Sequence, residues 1–317
     1  MEPDYPAQGR TSLEPELTVR SPKPLSTAER LHRTWRLSLF LILALLIGPT
    51  VVAGIGSRLF EMQRGPFTPL FLLYLEIANF AVVLGLTSLL SLMEKRPLGQ
   101  YGLPWNRAFK ANFWIGFLFG LAEASVLIGL IQIFGGYSFG SRALQGIEVL
   151  RWGLLHFVLF VFVGLYEEFL FRGYPQFSLS NMIGFWPAAV TLSIGFGLIH
   201  LGNKGENWTG ATSVVIVGLL FAFTLKRSGN LWYAVGLHAG FDWAQSYLYS
   251  VPDSGELLRG HLSNAVLQGP VWLTGGTVGP EASVFCFLTM GLQFLVVMWL
   301  FPAKKSENLE ESVVLGS

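Results

Sequence analysis

Seven side chains in three short stretches have types and spacings suited to chemistry: Glu167-Glu168-x-x-x-Arg172, Phe196-x-x-x-His200 and His238-x-x-x-Asp242. Residues four apart on a helix share a face. Glu168 can therefore pair with Arg172, Phe196 sits beneath His200, and His238 sits beneath Asp242. Glu167 points about 100° away from Glu168 and is left without a local partner. A carboxylate and an imidazole held together in a low-dielectric site can activate a water molecule, the carboxylate taking its proton and the imidazole orienting it. A second polar pair on another helix can stabilise the oxyanion formed when that water attacks a carbonyl. The residues alone leave three readings open. They are a hydrolase, a proton-coupled transporter, and a buried polar network that only locks helices together.

The elements that carry these residues are apolar. The chain of 317 residues is 52% hydrophobic and only 13% charged, against about 25% charged in a soluble domain. Apolar stretches long enough for a hydrocarbon core of about 30 Å fall at roughly 37–57, 68–93, 111–134, 152–178, 184–202, 210–225, 231–250 and 282–302. The sixth is the shortest. The expected fold is all-α, a polytopic bundle of about eight transmembrane helices. Residues 1–34, rich in Pro, Ser, Glu and Arg, read as a disordered tail. The transmembrane domain spans 35–303, and 304–317 form a short second tail. Most Lys and Arg residues fall in the segments that place both termini in the cytoplasm.

Ionisable groups at membrane depth usually face the bundle interior and serve a purpose. The fourth and fifth spans read as a hairpin with its turn near Ser180 to Met182. Glu167 lies about 14 residues before that turn and His200 about 19 after it, so both reach a similar depth at about 1.5 Å per residue. Glu76 and Glu123 stand alone in spans two and three and read as structural, and His156 as interfacial. Gly116-x-x-x-Gly120 fits small-residue helix packing, although glycine is frequent in membrane helices and chance explains the spacing as well. The Gly- and Pro-rich stretch from Val251 to Glu281 reads as a flexible connector, with a cover over the cavity as the alternative. Trp232, Trp243 and Trp299 read as interfacial anchors or packing residues. The single cysteine, Cys286, excludes a disulfide framework and a four-thiolate zinc site. No basic stripe points to nucleic acid.

The three motifs, in order and on membrane helices, resemble the CPBP intramembrane proteases, which include the type II CAAX prenyl endopeptidases and the Abi bacteriocin-immunity proteins. The run from Arg227 through Leu231-Trp-Tyr-Ala-Val-Gly-Leu-His238 is similar to the family's approach to its second histidine, and the likeness covers about 151–246. It implies an endopeptidase that hydrolyses membrane-associated proteins, prenylated CAAX proteins among them, in a bacterial cytoplasmic membrane. By position, Glu167 is then the general base, His200 shares its water, and His238 stabilises the oxyanion. Glu168 and Arg172 shape the site through their pair, with Phe196 beside them. The expected partners are a membrane-associated protein or peptide substrate and the lipid bilayer. A non-catalytic immunity or scaffold protein of the same fold is the alternative.

One position departs from the family pattern. Asp242 stands where Asn is usual, and an ionised carboxylate cannot donate a hydrogen bond to an oxyanion. Asp242 then acts in its protonated form, by orienting His238, or as a metal ligand. Glu167, His200, His238 and Asp242 offer oxygen and nitrogen donors that suit zinc. The chain lacks a His-Glu-x-x-His zinc helix, so the expectation is a metal-free glutamate mechanism that requires no cofactor, with a zinc-dependent mechanism as the alternative.

Overall fold

The computed structural model describes residues 26–60 and 68–303. Its principal helices are α1 (Thr27–Leu59), α2 (Pro69–Glu94), α3 (Ala111–Ile133), α4 (Ile147–Arg172), α5 (Tyr174–Ile183), α6 (Phe185–His200), α7 (Trp208–Ser228), α8 (Trp232–Trp243) and α9 (Val284–Leu300). The protein is an all-α polytopic membrane bundle. Five helical runs are long and apolar enough to cross a membrane, namely α1, α2, α3, the α4–α5 run Ile147–Ile183, and α7. The helices α6 and α9 are shorter and apolar, and α8 continues as a single π-turn, Ala244–Leu248.

Helices occupy all eight expected positions, but their lengths differ from expectation. The sixth span, expected to be the shortest, is the 21-residue α7. It begins on Asn207, whose side chain accepts from the N–H groups of Thr209 and Gly210. It runs through Lys226 and Arg227 to a left-handed Gly229, so polar ends hid its true extent. Conversely, α1 begins at Thr27, inside the stretch read as tail. Ser26 and Glu29 form a reciprocal capping box there, a local signal that overrides the polar composition. The rest of the expected N-terminal tail (1–25) and the C-terminal tail (304–317) lie outside the described residues.

The expected hairpin is also built differently. The chain leaves helical geometry at Gly173, and Pro175 opens the new helix α5. Proline has no N–H to give a preceding helix, so its place is the first turn of the next one. The reversal comes at Gly184, whose φ of +89° is open to glycine. Glu167 therefore lies six residues before the break at Gly173, in a helix that turns before the hairpin does.

Close packing is set by glycine. The helix α3 lies against α8, and a Cβ at Gly116 or Gly120 would overlap the carbonyls of Tyr233 and Leu237. From the other side, a Cβ at Gly236 or Gly240 would overlap the carbonyls of Phe113 and Phe117. The Gly116-x-x-x-Gly120 spacing is thus one half of an interlocked pair, and chance does not explain it. Its partner, Gly236-x-x-x-Gly240, brackets His238. On the opposite side Gly164 of α4 admits the Val235 backbone. Absent side chains let backbones approach within van der Waals range, which drives association in lipid.

His156 is fully buried within the bundle, its Nδ1 donating to the Trp152 carbonyl at 2.9 Å. Trp232 is buried and bonds the Pro104 carbonyl, Trp243 bonds that of Gly153, and Trp299 is exposed. The stretch after Val251 is a folded cap. Its strand β2 (Val266–Leu267) pairs antiparallel with β1 (Tyr137–Ser138), and Glu281 accepts from the Ser254 N–H at 2.9 Å and from Gln245 Nε2 at 2.6 Å.

Candidate active site

A cavity of about 590 Å³ opens inside the bundle, and Glu167, Phe196, His200, His238 and Asp242 all line it. These residues come from α4, α6 and α8, and each helix supplies what its motif requires. The i, i+4 spacing in α4 brings Arg172 Nη1 to 3.3 Å from Glu168 Oε1, both side chains being essentially inaccessible. In α8 the same spacing brings His238 Nε2 to 3.3 Å from Asp242 Oδ2. In α6 the Phe196 and His200 rings meet edge to face, with centroids 4.6 Å apart.

The links between helices were not visible in the sequence. His238 Nδ1 lies 3.2 Å from Glu168 Oε1, and His238 Nε2 lies 3.8 Å from Glu167 Oε2. Glu168 is therefore shared between Arg172 and His238. The resemblance assigned it only the first contact. The His238 ring stacks on Phe221 at 5.2 Å. The Arg172 guanidinium lies 4.5 Å from the centre of the Phe196 ring and 5.5 Å from that of Phe221, an arrangement that stabilises a buried cation. The continuous chain Arg172–Glu168–His238–Asp242 thus ties α4 to α8, and Glu167 stands beside it. A helical-wheel argument treats one helix at a time and cannot see that join.

His200 faces the same cavity from α6. Its Nδ1 lies 2.8 Å from the Phe196 carbonyl oxygen, which only accepts hydrogen bonds. Nδ1 must therefore carry a proton, and in the neutral ring Nε2 is left as an acceptor. His238 differs, because carboxylates flank both of its nitrogens. It can donate at both only as the imidazolium.

Glu76 and Glu123, expected to be structural, line this cavity too. Glu76 Oε2 is buried without a hydrogen-bond partner. Cys286 is buried and lies on the wall. The cap contributes Asp253, Ser254, Glu256 and Glu281. Burial, with Asp242 and Glu281 alongside, pushes the Asp253 carboxyl well above the ordinary carboxylate range. Composition pointed to none of the cap residues, since an isolated acid in a Gly-rich stretch carries no periodic signal.

Among the described residues, no group of three or more His, Cys, Asp and Glu side chains is placed to hold a metal ion. The four donors that suit zinc by type are not gathered as a ligand set, and His238 has its nitrogens against Glu168 and Asp242. No step through a metal follows from this geometry.

Residues 149–244 match the family model described as type II CAAX prenyl endopeptidase, Rce1-like. The matched stretch contains all three motifs and ends within two residues of the limit read from the sequence. It excludes α2, α3 and the cap, which complete the cavity wall. No curated protein and no solved structure matches the chain. The stretch 149–244 of this multi-pass membrane protein is similar to the Rce1-like type II CAAX prenyl endopeptidases, and that match supports a place among the CPBP intramembrane proteases.

Proposed function

We propose that the protein is an intramembrane endopeptidase that cleaves membrane-associated proteins, prenylated CAAX-type proteins among them, by a water activated between Glu167 and His200. The observation that carries this reading is the shared cavity, where Glu167, His200, His238 and Asp242 converge from three helices.

The chemistry then runs as follows. A water donates one hydrogen to the Glu167 carboxylate and the other to His200 Nε2, which the Phe196 carbonyl leaves free to accept. Its lone pair is aimed at the scissile carbonyl. As the O–C bond forms, Glu167 takes the proton, and the carbonyl oxygen becomes an oxyanion stabilised by His238 Nε2–H. Collapse breaks the C–N bond, and the proton held by Glu167 passes to the leaving nitrogen. Asp242 acts through His238, accepting from Nε2–H before substrate arrives and yielding that donor to the oxyanion, while Glu168 holds Nδ1 from the other side. This role uses only an acceptor oxygen, so it accommodates Asp where the family usually has Asn. Arg172 anchors Glu168, and Phe196 packs both Arg172 and His200. The distribution of Lys and Arg supports a cytoplasmic location for both termini.

The test compares membrane-protein termini by mass spectrometry in cells carrying wild type or Glu167→Gln at equal abundance. The proposal expects new C-termini only with wild type. Identical terminal profiles would remove it.

A further inference from the structure

Among the described residues, four carboxyl side chains line the cavity from the principal helices: Glu76 of α2, Glu123 of α3, Glu167 of α4 and Asp242 of α8. Three of them have partners. Glu167 and Asp242 face His238 at 3.8 and 3.3 Å, and Glu123 lies against Thr289 and Gln293 of α9. Glu76 is the exception. Its Oε2 is buried without a hydrogen-bond partner, and no ion pair holds it among the described residues. A buried polar atom without a partner is costly, and at membrane depth such a residue usually serves a purpose.

The spacing within α2 turns this carboxyl towards the site. Leu72, Glu76 and Phe80 fall four apart and form one stripe of the helix. Phe80 packs between Phe162 and Phe169 of α4, with ring centroids 6.2 Å away in each case. One turn from Glu76 on the other side, Leu72 lines the cavity. Glu76 feels the charges of Glu167 and His238, and Tyr166, the chain neighbour of Glu167, feels both carboxyls. The helices α2 and α4 thus set two carboxyl groups on one stretch of wall, beside the proposed oxyanion donor.

Two neighbouring carboxyls with no cation between them share a proton rather than ionise together. A carboxyl that carries a proton can give it up from one oxygen while the other oxygen accepts. A peptide bond calls for such a group, because its nitrogen is a poor leaving group until it is protonated.

We propose that Glu76 is a second catalytic acid, which carries the proton from Glu167 to the leaving nitrogen. One Glu76 oxygen gives its proton to the nitrogen as the C–N bond breaks. The other oxygen takes the proton that Glu167 removed from the water. Glu76 ends protonated and Glu167 ionised, as at the start, so no further acid or base is consumed. This rests on the endopeptidase reading and supplies the route of its last proton transfer.

The test uses full-length protein in liposomes and two farnesylated reporter peptides, identical except that one has an ester in place of the scissile amide. An alkoxide leaves without prior protonation far more readily than an amide anion, so loss of the acid should slow the amide selectively. Glu76→Gln is expected to lower kcat for the amide by about 10²-fold, with KM changed by less than about twofold. Its rate on the ester should stay within about threefold of wild type. Glu76→Asp, which moves the carboxyl by one methylene, should lower the amide-to-ester rate ratio by less than Glu76→Gln does. Equal losses on the two peptides, or amide cleavage at the wild-type rate, would overturn the role. Should size-exclusion chromatography show Glu76→Gln to be unfolded, Glu76→Asp decides, and an unchanged amide-to-ester ratio in that variant overturns the role. A wild type that cuts neither peptide overturns the endopeptidase reading and this role with it. A missing amide-to-ester contrast in the variants of an active wild type overturns the role of Glu76 alone.

Discussion

His238 Nδ1 lies 3.2 Å from Glu168 Oε1, and the same oxygen lies 3.3 Å from Arg172. This carboxylate is the joint between the helix that carries the proposed base and the helix that carries the proposed oxyanion donor. Because Glu168 is fully buried, loss of either partner leaves charge exposed to a low-dielectric interior.

Arg172→Met should therefore destabilise the fold by about 3–5 kcal/mol. The double variant Arg172→Met/Glu168→Gln should recover part of that loss. Chemical unfolding in detergent measures both, and additive effects would show that the two groups are independent.

The interlocked glycines make a sharper prediction about position. Gly120→Ala and Gly236→Ala place a methyl group against a facing carbonyl and should cost about 1–3 kcal/mol. Activity should fall as well, because α8 carries His238. Gly129→Ala meets nothing within 4 Å and should be neutral or slightly stabilising. Thermal unfolding followed alongside peptide cleavage distinguishes these outcomes.

How much of this was legible in the sequence depends on whether the signal was local. The pairs Glu168–Arg172, Phe196–His200 and His238–Asp242 were legible because helical spacing alone decides them. The join from Glu168 to His238 was not, because it depends on how two helices cross. The depth argument brought Glu167 and His200 into one cavity, although the break at Gly173 gave the hairpin a different shape. That Glu76 and Glu123 line the cavity was not legible either, since the direction in which a lone acid points is set by the bundle. The Gly116 spacing was visible, but its meaning required Gly236 and Gly240 across the interface.

Asp242 tests the orienting role. Asp242→Asn retains an acceptor oxygen near His238 and should keep activity within about tenfold of wild type. Asp242→Leu removes the acceptor and should lower kcat by about 10²-fold or more, with a smaller change in KM. Equal losses in the two variants would contradict the role.

Asp253 sets a pH dependence of stability. Burial first, then Asp242 and Glu281, raise its carboxyl in the folded protein above its unfolded value of about 3.9. The folded state therefore holds the proton more tightly. The group's contribution is fully present below about pH 4 and is lost as pH rises through the raised folded value. Asp253→Asn should unfold at a higher temperature than wild type on the alkaline side, and the difference should shrink as pH falls. A difference that grows towards acid pH would contradict the assignment.

The most direct measurement is cleavage of a farnesylated reporter peptide in ¹⁸O-labelled water by purified full-length protein in nanodiscs. Wild type should release a product with one ¹⁸O in its new C-terminal carboxylate, and Glu167→Gln, equally folded, should release essentially none. Release of labelled product by Glu167→Gln at the wild-type rate would contradict the account.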